Sequence, residues 1–222
     1  MKSEKKRIAV LDDWQGVAKQ SADWSKLQQQ ADVVFFEEPF SGPDKLASAL
    51  GEFDIIIAMR ERTKFSRELL ERLPKLRMIA LTGGRTWTMD FDTLNARRIP
   101  VCHTGGEKSG AATAEIALGL LLSAARWINR GDASIRAGGF QAGVPSGDVL
   151  DGKTLGIIGL GKIGSRMARY GAALGMQVLA WSANLTVEKA AAAGARWVDK
   201  ATLLAQSDAI SLHLVLSERT RG

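Results

Sequence analysis

The chain has 222 residues, 45% of them hydrophobic and 24% charged, which is the balance of a folded globular protein and excludes a disordered or fibrous chain. A net charge of +6 is scattered, and the basic run at 2–7 is broken by Glu4, so no nucleic-acid partner is expected. The single Cys102 rules out an internal disulfide and fits a reducing, cytoplasmic setting; no signal peptide, membrane span or metal site is expected.

Taken in order, strand and helix alternate. Residues 7–12 read as a buried strand ending in acid, followed by a helix around 24–30 and a strand at 33–36. After the turn 39–43, Asp44 is placed to cap a helix through Leu50. A strand at 53–59, a helix at 67–73 capped by Ser66, a strand at 76–81, a short helix at 91–97 and a strand at 100–103 complete the first half. Such alternation with short connections predicts a parallel, doubly wound α/β sheet with helices on both faces. The spacing then predicts one long helix over 111–130, apolar nearly all round and so buried on several sides, between domains or against a partner subunit. A glycine-rich stretch follows, and the domain boundary is set near 104–109.

The most informative stretch begins at 155. An apolar run over 155–158 reads as a buried strand and stops at Gly159-Leu160-Gly161-Lys162-Ile163-Gly164, after which apolar spacing turns helical through Ile163, Met167, Tyr170, Ala173 and Leu174. Strand, glycine turn and helix in that order suit a dinucleotide. Gly159 allows the tight turn, Gly161 keeps side-chain bulk away from a pyrophosphate, and Gly164 lets the helix approach the strand. The freed N–H groups and the positive helix end then face phosphate. A second strand over 176–181 follows, then a helix at 187–193, a strand at 196–198, a helix at 200–206 and a strand at 208–214. The acidic residue that usually takes the ribose hydroxyl of NAD does not stand after this second strand, and neither does an arginine for NADP. Ser182 and Asn184 can hydrogen-bond either ribose, so NAD is expected with NADP left open.

These residues resemble the D-isomer-specific 2-hydroxyacid dehydrogenases, the family of formate, D-lactate, glyoxylate and phosphoglycerate enzymes. The resemblance spans the whole chain and rests on Met59-Arg-Glu-Arg-Thr63, Thr82-Gly-Gly-Arg-Thr-Trp-Thr-Met-Asp90, Ala112-Thr-Ala-Glu115, the glycine turn, Ala180-Trp-Ser-Ala-Asn-Leu-Thr186 and the run from Ser211 to Gly222. It implies two doubly wound domains: a flavodoxin-like substrate domain over 1–104 and an incomplete Rossmann coenzyme domain over 105–222. It also implies hydride transfer between NAD(P) and a small 2-hydroxy or 2-oxo acid, and a homodimer through the 111–130 helix region.

Family roles carry over to matching positions. Arg60 would face substrate, or be a surface arginine. Gly83 and Gly84 would offer consecutive amides to the substrate carboxylate, an anion nest, with Arg85 adding charge or merely solvating the loop. Thr113 would sit beside the nicotinamide, or pack as an ordinary helix residue. Leu214, Leu216 and Thr220 would line the adenosine side, Leu216 as an apolar wall. His103 and His213 are read as structural. The arginine, carboxylate and histidine that do the family's chemistry lie beyond the motif ending at Gly222, so no catalytic residue is expected in this chain, which reads as C-terminally truncated and inactive alone. A non-catalytic, corepressor-like dinucleotide-binding regulator is the alternative.

Overall fold

A computed structural model describes residues 5–59, 61–84, 88–105, 110–217 and 220–221. The chain divides into two compact units, Met1–Glu107 and Lys108–Gly222.

In the first unit the strands are β1 (Lys6–Val10), β2 (Ala31–Phe35), β3 (Ile55–Ala58), β4 (Met78–Leu81) and β5 (Val101–His103), and the helices are α1 (Ala18–Ser21), α2 (Ser25–Gln30), α3 (Pro43–Leu50), α4 (Arg67–Glu71) and α5 (Phe91–Ala96). All pairings are parallel, in the order β2-β1-β3-β4-β5. That is the doubly wound order of flavodoxin-like sheets. Central strands in such a sheet are covered on both faces and need apolar side chains throughout. Ile56, Ile79 and Leu81 are accordingly buried, packed with Leu50, Phe53, Phe65, Leu70 and Leu73 from the helices and loops.

Local chemistry sets the helix starts. Ser66 accepts from the Leu69 amide, as its position predicts, and Asp90 caps α5 through the Thr93 amide at 2.9 Å. Asp44 is not a cap. Pro43 takes the first helical position, where a missing N–H costs nothing, so the helix begins two residues earlier than a cap at Asp44 would set it. Gly42 becomes the cap residue, and Asp44 bonds Arg72 at 2.7 Å instead.

The second unit holds helices α6 (Ala111–Arg126) and α7 (Ile128–Arg136), then β6 (Thr154–Ile158), α8 (Lys162–Ala173), β7 (Gln177–Trp181), α9 (Val187–Ala192), β8 (Arg196–Trp197), α10 (Lys200–Gln206) and β9 (Ala209–Leu212). Its four strands are parallel in the order β8-β7-β6-β9. The chain runs outward from β6 to β8 and then returns to the other side of β6, which is the strand order of a Rossmann sheet.

The single helix expected over 111–130 is two helices. Trp127 adopts the left-handed region (φ 53°), and α6 and α7 meet at a bend of 72°. The returning loop secures the break, since the Asp148 amide donates to the Ala125 carbonyl at 2.7 Å and so satisfies one of the carbonyls a helix end leaves open. Within this unit α6 packs one side against the core. Ala114 is buried and Ala117, Leu118, Leu121, Leu122 and Ala125 are half-buried against the core of this unit, while Ile116 and Leu120 remain 67% and 66% exposed.

Candidate functional site

The strand order of the second unit reverses between β6 and β9, and open α/β sheets hold ligands outside the carboxyl ends of strands at such a point. The glycine bend lies there. β6 ends at Ile158, whose carbonyl accepts from the His213 amide, while the Gly159 amide donates to the Trp181 carbonyl, both at 2.8 Å. The bend is thus fixed to the strands on either side of β6.

Each glycine answers a separate demand. Gly159 sits at φ 98°, and a Cβ there would stand 2.6 Å from the His213 carbonyl oxygen, so any side chain would push away the loop after β9. A methyl on Gly164 would overlap the backbone oxygen of Gly159 and crowd Ile157, so α8 lies as close to β6 as a backbone can. Gly161 is different. A methyl on it would meet no atom within 4 Å, so this position faces open space at the mouth of the helix.

What that space offers is electrostatic. Gly161 is the cap residue of α8 and supplies no capping side chain, and the first bond into the helix runs from the Ser165 amide to the Gly161 carbonyl at 2.9 Å. The amides of Gly161, Lys162, Ile163 and Gly164 therefore lack intrahelical acceptors. The first turn contains no acidic residue, so the positive helix end is not offset locally. A helix start of this kind is suited to receive a phosphate.

Beside the bend, a cavity of about 530 Å3 is lined by Ile158, Trp181, Ser182, Asn184, Leu212, Leu214 and Thr220, together with Lys200 and Arg221. The strand ends set its walls, because Ile158, Trp181 and Leu212 stand at matching register positions on β6, β7 and β9. Of the residues named for the adenosine side, Leu214 and Thr220 line this cavity, together with Ser182. Leu216 does not line the cavity and is half exposed. Thr220 folds its own loop, donating to the Val215 carbonyl at 2.7 Å and accepting from the Ser217 amide at 2.8 Å. Thr113 is exposed in the first turn of α6, a helix whose cap residue Gly110 abuts Ile163 of the bend.

In the first unit, Arg60 and Arg85 lie outside the described residues. Gly83 and Gly84 follow β4, but the Gly83 amide already donates to Thr104 Oγ1 at 2.9 Å, so the pair does not present two free N–H groups. Sequence reasoning missed Asp12. It is buried at the end of β1 in a left-handed conformation (φ 63°), its Oδ1 accepts from Thr63 Oγ1 at 3.1 Å, and its Oδ2 is buried without a partner. Burial pushes its carboxyl pKa up, against the lowering effects of Thr63 and the Arg62 guanidinium. Arg62 bonds the Asp12 carbonyl and stacks 4.6 Å from the Trp14 ring centre, so Asp12 anchors the segment that follows β3. A left-handed acid in an apolar strand end gives no periodic signal.

The two histidines sit in different surroundings. Burial pushes the His213 pKa down, and its Nε2 is 2.7 Å from Ser211 Oγ. His103 is exposed, and its Nδ1 accepts from the Gly105 amide at 3.3 Å. Among the described residues no cluster of three or more His, Cys, Asp or Glu could hold a metal.

Comparison with known proteins agrees with the bend. Residues 118–222 match the model of the D-isomer specific 2-hydroxyacid dehydrogenase NAD binding domain. A hydroxypyruvate reductase of Thermotoga maritima is 35% identical over 183 residues, covering 80% of this chain and 56% of that protein. A glyoxylate reductase of Thermococcus litoralis is 34% identical over 202 residues, covering 87% and 60%. Among solved structures, a phosphoglycerate oxidoreductase of Vibrio cholerae superposes with a TM-score of 0.89 at 34% identity, covering 99% of this chain and 69% of that one. The chain thus spans under two thirds of the first two relatives. A strand-bend-helix cradle for a diphosphate, the sheet orders of both units and these likenesses lead to one assignment: the chain belongs to the D-isomer-specific 2-hydroxyacid dehydrogenase family and carries its NAD(P)-binding domain.

Proposed function

We propose that the protein is an NAD(P)-dependent oxidoreductase acting on a small 2-hydroxy or 2-oxo acid. The observation that carries this is the bend from Gly159 to Gly164, with open space at Gly161 beside four amides lacking helical acceptors. Bound there, the coenzyme supplies the hydride. The chain's own residues do the holding: the α8 amides take the pyrophosphate, Leu214 and Ile158 wall the adenosine, and Ser182 and Asn184 reach the ribose. Thr113 stands beside the nicotinamide. In the first unit, Gly84, with Arg60 and Arg85, receives the substrate carboxylate.

These 222 residues by themselves bind coenzyme without turning over substrate. Hydride transfer to a carbonyl needs a proton donor of suitable pKa. His213 is desolvated and occupied by Ser211, and His103 accepts from its own loop. A spectrophotometric assay of the purified chain with hydroxypyruvate, glyoxylate and pyruvate, and with either reduced coenzyme, is expected to show saturable binding and no consumption. Turnover with any of them refutes the inactivity. The same disposition of the histidines favours a second reading, a corepressor-like regulator that binds coenzyme to control a partner. Protein captured only by the coenzyme-loaded chain supports that reading.

The functional state is a homodimer formed through the α6–α7 region, where Ile116, Leu120, Ile128, Ile135 and Phe140 are all more than half exposed. An apolar surface of that extent is covered in most soluble proteins. Sedimentation showing monomers at all concentrations contradicts this.

A further inference from the structure

NAD and NADP differ at one atom, the 2′-oxygen of the adenosine ribose, which bears a free hydroxyl in one and a phosphate in the other. A protein selects between them by the charge it places around that oxygen. With the pyrophosphate on the α8 amides, as proposed above, that oxygen lies at the carboxyl end of β7. Here β7 runs into Trp181, Ser182, Ala183 and Asn184, and among the described residues no carboxylate lines the cavity they enter. The nearest acid by sequence to Lys200 is Asp199, and it is otherwise engaged: its Oδ1 accepts from the Thr202 amide at 2.9 Å and its Oδ2 from the Thr202 hydroxyl at 2.6 Å, as the cap of α10.

Two cations do line the cavity, brought from separate elements. Lys200 is the first residue of α10, its ammonium 5.7 Å from the Trp181 ring centre, and Arg221 follows the loop closed by Thr220. Neither is in an ion pair among the described residues. The Ser182 hydroxyl and Asn184 amide also make no side-chain hydrogen bond there. Among the described residues the cavity therefore presents two positive charges and two uncommitted polar groups over an apolar floor of Ile158, Leu212 and Leu214. A neutral ribose hydroxyl uses one hydrogen bond from this set and gives neither cation a counter-charge. A dianionic phosphate on the same oxygen offers both cations a counter-charge and the polar groups an acceptor.

We propose that this chain selects NADP(H) over NAD(H), with Lys200 and Arg221 as the specificity-determining residues for the 2′-phosphate and Ser182 and Asn184 completing its hydrogen bonds. The inference rests on the dinucleotide reading of the bend, and the test separates the two. Fluorescence titration of the 222-residue protein compares NADPH with NADH, using 2′,5′-ADP and 5′-ADP as competitors. NADPH is expected to bind roughly tenfold or more tightly than NADH, since each charge-assisted contact is of about that size, and 2′,5′-ADP is expected to compete better than 5′-ADP. The Lys200→Ala, Arg221→Ala double variant is expected to lose that margin while NADH binding stays within about twofold. Both side chains are exposed, so the fold should survive, and Ser182→Asp supplies an independent check by shifting preference toward NADH. Saturable NADH binding as tight as NADPH overturns the selectivity and leaves the dinucleotide site standing. Preference for NADPH that persists in the double variant overturns the residue assignment. Absence of binding by either coenzyme removes the site itself.

Discussion

Gly161 and Gly164 lie three residues apart in one bend, and the structure assigns them opposite liabilities. Alanine at 164 places a methyl group onto the Gly159 carbonyl and near Ile157 Cγ2. Relieving that overlap requires α8 to lift from β6 or the bend, which the Gly159 amide ties to the Trp181 carbonyl, to change shape. Overpacking of this kind costs about 1–3 kcal/mol, and replacing a helical glycine by alanine returns at most about 1 kcal/mol. Gly164→Ala should therefore destabilise the second unit by about 1–2 kcal/mol, read as a fall of about 4–8 °C in Tm per kcal/mol. Alanine at 161 meets nothing and sits at φ −87°, which any residue adopts. Its small capping deficit is offset by the stiffer unfolded chain, leaving stability unchanged within about 1 kcal/mol. Its methyl group does stand where phosphate must approach. Loss of two amide-to-phosphate bonds at about 1.5–3 kcal/mol each weakens coenzyme binding by roughly 10²–10⁴-fold. Differential scanning calorimetry and coenzyme titration on both variants check this. A Gly161→Ala protein that binds coenzyme like the parent would refute the cradle, and a Gly164→Ala protein as stable as the parent would refute the close helix–strand contact.

Other expectations follow from single groups. Asp12 has a raised carboxyl pKa, so the stability it contributes is full below the unfolded value of 3.8 and is lost as pH rises through the folded value. Asp12→Asn cannot ionise and should gain on the parent as pH rises, in urea melts across the acid range; an advantage independent of pH would mean the carboxyl is not desolvated. His213 behaves oppositely, since its pKa is lowered: the stability linked to it is present above 6.5 and lost as pH falls through the folded value. His213→Gln should flatten that acid limb, and an unchanged limb would place its cause elsewhere. Leu120→Glu, on the exposed side of α6, should shift sedimentation from dimer to monomer, and a dimer that survives it would point to another interface.

Much of this was legible in the chain. Doubly wound sheets declare themselves by apolar strand runs alternating with helical spacing, and the glycines at 159, 161 and 164 sit in the local context that makes such a pattern informative. The misreadings are equally physical. Helical spacing across 111–130 ran through Trp127 because a tryptophan carries no signal for a left-handed turn, and the break is held by a loop amide more than twenty residues away. Asp44 looked like a cap because the preference of proline for the first helical position competes with it one residue earlier. The cavity cations were invisible for a third reason. Lys200 and Arg221 are distant in sequence from Ser182, and only the return of the chain from β8 to β9 brings them to one place.

The central claim is that backbone amides at the start of α8 receive a diphosphate. Amide chemical shifts of the isotopically labelled 222-residue protein, followed through a titration with NADPH and NADH, test it most directly. The amides of Gly161, Lys162, Ile163 and Gly164 should move furthest and saturate together with Ser182 and Leu214. Saturable binding that leaves those four amides where they began, or no binding by either coenzyme, contradicts the account.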